Sequence, residues 1–484
     1  EYADYKELFN IAGKISGRVR QTSVHAGGVG IVDTKITDYM AMKLGSKGEH
    51  VIQVDKKIIE EIGIIKFDCL GLADTLNTIK ECVEYAHIDP YEIDVNNPEF
   101  LKNKDMYKLL CSADTNGVFQ VESQGMKDLL LRLQPSNLED VSAVLALYRP
   151  DSMGALDEYI ECKHGRKKVH YIHPDMEPIL KDTYGCIIYQ EEVMEIVRKF
   201  GGRTYGGADK FRKAIGKKNL EMIKEESAKL YQEIIDNGYD EDIAKQISDE
   251  LSNKGGYCFN KSHSALYTIL TLQTAYLKTK YPTEFFCGIL NQKRDDYGAL
   301  NKYIIDSKNF NVKILPPHIN RSDRIFSVYD QKILFGLEAI KGVGEKFVDG
   351  LIKEREQRKF DNFDDFYDRM KPSVSIVISL TKAGAIPCKN KREFLLSFAK
   401  SQFKDKEYTP VSTLPKLSVL KEKYGIDGTV IKVKEDRLKL YNTAKMKEFY
   451  HNQEEKNKKG IEEFTEKYLK NEQFWEFEAL SVFI

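Results

Sequence analysis

The sequence predicts an α+β protein: a small β-rich segment, then a large, mostly α domain, then a smaller mixed one. Three observations carry this. Short β-branched bursts separated by Gly and Asp are confined to about 21–72, long amphipathic runs dominate about 75–290, and a Pro-Pro pair followed by two apolar bursts marks a boundary near 310.

In order, the chain opens on Glu1-Tyr2 inside a helical pattern (Tyr5, Leu8, Phe9, Ile11, Ala12) and closes on the apolar run Leu480 to Ile484. Both ends read as cut, so a piece of a larger protein is expected. Val29 to Val32, Val51 to Val54 and Ile62 to Phe67 read as strands. Val193 to Phe200, Leu220 to Asn237 and Leu266 to Lys278 read as helices of one large domain. Ile314-Leu315-Pro316-Pro317 starts the mixed segment, Ile325 to Tyr329 and Ile333 to Leu337 suggest a hairpin, and helices resume near Glu345. After Pro387 the chain turns Lys/Glu-rich, and Tyr441 to Tyr468 reads as a charged, solvated helix or helix pair. No internal repeat indicates a solenoid.

Composition narrows the class. With 484 residues, 31% charged and 42% hydrophobic, the chain is not disordered, collagenous or membrane-spanning. At about 100–200 residues per domain, its length suggests roughly three domains. The 74 basic residues balance 75 acidic ones, leaving a net charge of -1, so only local charge can indicate a partner. Eight scattered cysteines without a C-x-x-C pair argue against a disulfide framework or zinc site and for a reducing compartment, with the cytoplasm as default. There is no signal pattern, and no apolar run approaches the ~18 residues of a transmembrane helix.

Three places carry chemistry. Between Arg198 and Lys218, eight cations (Arg198, Lys199, Arg203, Lys210, Arg212, Lys213, Lys217, Lys218) stand against Asp209 alone, interleaved with Gly201-Gly202 and Gly206-Gly207. Such a window attracts polyphosphate, and its glycines let the backbone approach closely; the plain alternative is a solvated helix face and a loop. The nearby Phe259-Asn260-Lys261-Ser262-His263-Ser264 gathers donors before a helix, and on its own fits a helix start capped by Ser262 or Ser264. The second place is Ile340-Lys341-Gly342-Val343-Gly344, spaced as the turn of a helix-hairpin-helix whose backbone N–H groups grip a DNA phosphate without reading sequence. An ordinary helix-helix turn is the alternative, and Leu380 to Ile386 is a weaker echo. The third is Asp68, which strand alternation puts on one face with Lys66 and opposite Phe67. A half-buried acid there must be paired or bound to an ion. A Lys66 to Asp68 ion pair is the simplest reading, since two-metal phosphoryl transfer needs more carboxylates.

Taken in order, eight segments resemble the C-family replicative polymerases, the DNA polymerase III α subunits of bacteria and some phages. They are Ser23 to Val29, Lys66 to Leu72, Gly117 to Met126, Ala146 to Pro150, Tyr189 to Glu191, Gly207 to Lys218, Phe259 to Ser264, and Gln273 to Lys278. The resemblance implies 1–20 as the end of a thumb, 21–75 as the second half of a palm, 76–310 as fingers, 311–390 as a helix-hairpin-helix duplex-binding region, and 391–484 as a charged, truncated C-terminal region. In these terms the fold is a small β-rich half-palm, a large mostly α fingers domain and a helix-hairpin-helix domain.

The resemblance also implies roles. Asp68 is one of three metal-binding palm aspartates, and Lys66 lies near the triphosphate. Arg212, Lys213, Lys217 and Lys218 hold nucleotide phosphates, with Lys213 standing where the family has a second Arg and so lacking the bidentate fork. Asn260, Lys261, Ser262 and His263 belong to the same nucleotide site, while Lys341, Gly342 and Gly344 meet DNA. The implied reaction is in-line attack of a primer 3′-oxygen on the α-phosphate of a dNTP, assisted by Mg2+. The family's Asp-x-Asp pair has no counterpart here. Activity is therefore expected only with a companion segment carrying those aspartates, acting on primer-template DNA and dNTPs, with sliding clamp and other replisome subunits as further partners. The alternative is a non-catalytic DNA-binding accessory module or polymerase relic.

Overall fold

The computed structural model describes residues 5–18, 24–25, 27–45, 48–69, 71–148, 153–216, 220–254, 258–403, 409–410, 431–434, 437–440 and 444–480. The chain divides into two compact units, Glu1–Ala73 and Asp74–Ile484.

The first unit carries helix α1 (Lys6–Ile15), strands β1 (Gly28–Ile31), β2 (Met42–Leu44) and β3 (His50–Ile52), helix α2 (Lys56–Glu61) and strand β4 (Ile65–Asp68). β2 and β3 pair as a hairpin, and β1 pairs antiparallel with β4 in the register Gly28 to Asp68, Val29 to Phe67, Gly30 to Lys66 and Ile31 to Ile65. Alternation puts Val29, Ile31, Ile65 and Phe67 on one face, all exposed, and leaves Lys66 and Asp68 on the other beside two glycines. The core is small: Met40, Ile59 and Ile64, flanked by Val32, Ile52 and Val54.

The second unit is largely helical. It runs through α3 (Ala73–Ala86), α4 (Pro98–Leu101), α5 (Lys104–Cys111), α6 (Gln124–Leu133), α7 (Leu138–Leu147), α8 (Met153–Lys163), α9 (Glu177–Leu180), α10 (Gln190–Gly201) and α11 (Tyr205–Gly216). There follow α12 (Leu220–Asp236), α13 (Glu241–Lys254), α14 (Lys261–Lys280), α15 (Pro282–Gln292) and α16 (Tyr297–Asn309). Two cores organise this part. One gathers Met106, Leu110, Leu130, Val144, Leu272 and Phe285 around α14; the other packs Val193, Ile196, Phe200, Phe211, Leu230 and Ile247 between α10 and α13. No helix among the described residues is long and apolar enough to cross a membrane.

α14 is the axis of the larger core, and polar groups lock it there. Lys278 is fully buried, and its ammonium donates to Asp306 and to the carbonyls of Asp114 and Asn116, each at 2.8 Å. All three of its protons are thereby satisfied. One turn earlier Thr274 accepts from the Phe119 N–H at 3.1 Å, and two turns earlier Thr271 donates to the Phe119 carbonyl at 3.1 Å.

Past α16, β5 (Ile314–Leu315), β6 (Ser327–Tyr329) and β7 (Lys332–Leu334) form a small sheet. β6 and β7 make the hairpin expected from sequence, and β5 adds a parallel strand to β7. Then come α17 (Glu345–Gln357), α18 (Phe363–Met370), α19 (Val374–Ala383) and α20 (Lys391–Phe403). The expected charged helix is present as Ala444–Tyr468. The segment Trp475–Leu480 follows it, with Trp475 and Leu480 buried and Lys382 bonded to Glu478 at 2.6 Å.

Candidate functional site

β4 ends at Asp68, where the Cys69 N–H donates to the Gly27 carbonyl at 2.6 Å. The Lys66 ammonium bonds Asp68 Oδ1, so the ion pair expected from alternation forms. His25 joins it, with Nδ1 at 3.5 Å from the same oxygen. Glycine at position 28 makes room: a Cβ there would stand 2.7 Å from His25 Nδ1 and 2.8 Å from Lys66 Cε. The Asp68 side chain remains 46% exposed while Lys66 is only 14% exposed, so the acid faces outward and its cation is tucked beneath it. Mg2+ demands a near-octahedral set of oxygens. Among the described residues no three His, Cys, Asp or Glu side chains converge, so those residues alone do not supply a two-metal site.

The second cluster, in the larger unit, is built from helix starts. The loop before α14 and the loop before α10 lie side by side, with the Phe259 N–H donating to the Ile188 carbonyl at 2.8 Å and the Gln190 N–H to the Phe259 carbonyl at 2.8 Å. Asn260 caps α14, accepting from the His263 N–H at 2.8 Å. This corrects the expectation that Ser262 or Ser264 is the cap: Asn260 holds the extended backbone a cap requires, and Ser264 is buried against Ser142. Lys261, Ser262 and His263 are left exposed in the first turn, at the positive end of the helix dipole. The Lys261 ammonium lies 5.4 Å over the Tyr189 ring, and His263 stacks on Tyr267 at 4.3 Å.

Arg212 reaches this corner from α11. Its Nη1 donates to Gln190 Oε1 at 3.2 Å and its Nε to Asp209 at 2.9 Å. Lys213 pairs with the same acid at 2.7 Å, and these two bonds hold the Asp209 carboxyl below its ordinary range. The fold thus brings Arg212 beside the turn of Asn260 to His263, through Gln190. Lys217 and Lys218 lie outside the described residues.

The cation-rich window is less basic than its sequence suggests. Arg203 is held between Glu226 and Glu233 of α12, both at 2.6 Å; Lys199 pairs with Asp175 at 3.2 Å, and Arg198 with Glu195 at 2.9 Å. A window of 21 residues sees only Asp209; folding supplies four more carboxylates, and Arg203 ties the connection between α10 and α11 to α12.

Two side chains of the Tyr189 to Glu191 segment, to which the sequence alone assigns no role, stand out. Glu191 accepts from Asn260 Nδ2 at 3.0 Å and from the Lys261 N–H at 2.9 Å, so its carboxylate clasps the start of α14. Gln190 ties both α11 and the 258–259 backbone to α10. The signal available was the triplet Tyr189-Gln190-Glu191 itself. Next to them Glu192 is buried and accepts from the N–H groups of Ile188 and Tyr189 at 2.8 and 2.9 Å, and burial pushes its carboxyl up to about 7.

At the hairpin, Gly342 takes φ +80, a conformation that favours glycine, and Gly344 precedes α17. The arm before it is a pair of turns, Leu337 to Gly342, following β7. The Lys341 ammonium lies 4.8 Å over the Tyr297 ring, and the Lys341 backbone N–H donates to the Ala479 carbonyl at 2.9 Å. Arg324 is bonded to Glu338 and Glu345 close by, so the neighbourhood is of mixed charge. The echo at 380–386 is the C-terminal cap of α19, with Gly384 at φ +84.

An exposed Lys-Ser-His helix start near a tethered guanidinium is an arrangement suited to receiving an anion. Comparison makes this particular. Residues 1–71 match the family model of the bacterial DNA polymerase III alpha NTPase domain, residues 74–238 that of the bacterial DNA polymerase III alpha subunit finger domain, and residues 311–393 a helix-hairpin-helix motif. The DNA polymerase III subunit alpha of Aquifex aeolicus (strain VF5) is 39% identical over 414 residues, 83% of this chain and 35% of that protein. Its namesake from Buchnera aphidicola subsp. Acyrthosiphon pisum (strain APS) is 42% identical over 416 residues (81% and 35%), and that from Bacillus subtilis (strain 168) 36% over 373 (77% and 33%). The chain belongs to the DNA polymerase III alpha subunit family, and it spans about a third of the length of these relatives.

Proposed function

We propose that this chain is a portion of a replicative DNA-directed DNA polymerase, adding dNMP from a dNTP to a primer 3′-OH under template direction. The observation that carries the reading is the link, through Gln190, from Arg212 to the backbone that leads into the exposed Lys261, Ser262 and His263, in a chain of this family. In this reading 1–20 ends a thumb, 21–75 is a half-palm, 76–310 the fingers, 311–390 the duplex-binding region and 391–484 a charged C-terminal region. Lys213 adds charge beside Arg212, with Lys217 and Lys218 beyond it, and Asn260 fixes the turn. These groups neutralise the triphosphate; such catalysis is mostly positioning and charge. Lys341, Gly342 and Gly344 hold the duplex backbone.

Asp68 would supply one carboxylate to a Mg2+ site, which would neutralise charge at the reacting phosphate, and Lys66 would lie near the triphosphate. The remaining ligands come from a companion segment with the missing aspartates. A sliding clamp and other replisome subunits are its further partners, in the cytoplasm. One observation favours a second reading. The Lys66 to Asp68 pair satisfies the acid without metal, as in a DNA-binding accessory module or relic without chemistry.

Primer extension with dNTPs and Mg2+ tests this, using the chain alone and mixed with a fragment supplying the palm segment that precedes the matched region in the relatives. Extension only in the mixture supports the split-site polymerase. Extension by the chain alone refutes the assignment of missing ligands, and DNA binding without extension in either case selects the second reading.

A further inference from the structure

We propose that Gln190 is a positioning residue that joins the two cation-bearing elements, holding Arg212 against the start of α14 so that both grip one phosphate chain. This rests on reading Arg212 and Lys261 to His263 as phosphate contacts.

The geometry fixes how the Gln190 amide is oriented. A guanidinium can only donate, so the group 3.2 Å from Arg212 Nη1 is Oε1. The Cys258 carbonyl can only accept, so the group 3.3 Å from it is Nε2. One side chain thereby links α11 to the strand-like segment that leads into α14, while its own backbone N–H holds the Phe259 carbonyl at 2.8 Å. Arg212 has Asp209 as its other partner, on its own helix and also shared with Lys213. Without Gln190, the Asp209 bond ties Arg212 to its own helix alone. Glu191 performs the complementary task on the α14 side, clasping Asn260 and the Lys261 N–H. Consecutive residues at the first turn of α10 thus hold the two halves of the cluster, one each.

The function of such a link is cooperative. Two cationic groups held at a fixed spacing grip a polyphosphate without the entropy cost of gathering them. Removing Gln190 leaves every cation in place and loosens only their mutual placement. Replacing it by Glu keeps its length but neutralises Arg212 in situ and turns an acceptor toward the Cys258 carbonyl.

The test is equilibrium binding of inorganic tripolyphosphate to the full chain at low salt, for wild type, Arg212→Ala, Gln190→Ala, Gln190→Glu and the Gln190→Ala/Arg212→Ala double variant. Thermal melting of each checks the fold. Arg212→Ala is expected to weaken binding about tenfold, the scale of one charge-assisted contact. Gln190→Ala is expected to weaken it roughly three- to fivefold, and Gln190→Glu about as much as Arg212→Ala. The double variant should bind no more weakly than Arg212→Ala, because Gln190 acts through that residue. Additive losses, or a Gln190→Glu variant that binds as wild type does while Arg212→Ala does not, overturn the proposal. If Arg212→Ala itself binds like wild type, or wild type does not bind, the phosphate reading fails and the proposal falls with it.

Discussion

The strand that carries Asp68 and the helix start that carries Lys261 solve opposite problems. Around Asp68 the ion-pair partner is local, Lys66 two residues away on the same strand, while Gly28 and His25 come from the neighbouring strand and the turn before it. The core beneath is three buried side chains, and the acid is exposed. Around the start of α14 the groups come from 190–191, 212 and 260: Gln190, Glu191 and Asn260 bond backbone between two large cores, and Arg212 is held through the Gln190 side chain. The first arrangement offers one exposed carboxylate, already paired with Lys66. The second is a finished cluster whose organisers are amides and carboxylates. A site of sequence neighbours announces itself in the sequence; one assembled by long-range packing hides the residues that hold it together.

The sharpest way to break this contrast is Asp68→Ala in the reconstituted primer-extension mixture. Synthesis should fall at least about a thousandfold, the scale of losing a metal-held transition-state contact, with tripolyphosphate affinity unchanged. Retained synthesis removes Asp68 from the metal site. Next in size is Lys278→Met, which leaves Asp306 buried without its cation and two carbonyls without their donor. Urea titration should show a loss of about 3–5 kcal/mol; a loss below about 1 kcal/mol would mean the core reorganises around the gap.

Glu192 gives the packed region a pH signature. Its folded carboxyl titrates at about 7, above the ordinary 4.5, chiefly because burial disfavours the charged form. Between those values the folded chain holds a proton that the unfolded chain releases, so stability falls as pH rises through the window. The loss by pH 8 is about 3 kcal/mol, and Glu192→Gln should flatten the slope. Carboxylates held low, such as Glu122 with the Gly117 N–H and Tyr303, act the other way and at lower pH, where acid removes their contribution. A slope that survives Glu192→Gln assigns the effect elsewhere.

Smaller effects sharpen the picture. Asn260→Ala removes the cap of α14 and one of the two bonds to Glu191, and should cost about 1 kcal/mol in thermal unfolding; an unchanged midpoint would hand the helix start to Glu191 alone. Lys341→Ala should weaken primer-template binding a few-fold and lower the salt slope by roughly one. An unaltered slope would place its ammonium on Tyr297 permanently, away from phosphate.

Much of the architecture was legible because it is periodic. The helices at 190–201, 220–236 and 261–280, the 327–334 hairpin and the charged helix at 444–468 all follow patterns visible in one dimension. Asp68 was legible because strand alternation fixes its face. The capping of α14 was not, since Asn260, Ser262 and Ser264 are all competent caps and only the packing of Ser264 against Ser142 decides among them. The neutralisation of Arg203 was invisible because Glu226 and Glu233 lie 23 and 30 residues away. Gln190 was overlooked for a related reason: an uncharged amide suggests no chemistry until its two partners are seen.

Lys278 has a practical corollary. An ammonium with no exposed surface and all its protons engaged cannot meet an amine-reactive reagent in the folded state, whereas Lys261 on the same helix is open to solvent. Mild acylation should therefore mark Lys261 at once and Lys278 only when the α14 core opens. The pair makes one helix into an internal clock, with its first residue timing reagent and its eighteenth timing the rare excursions of the core.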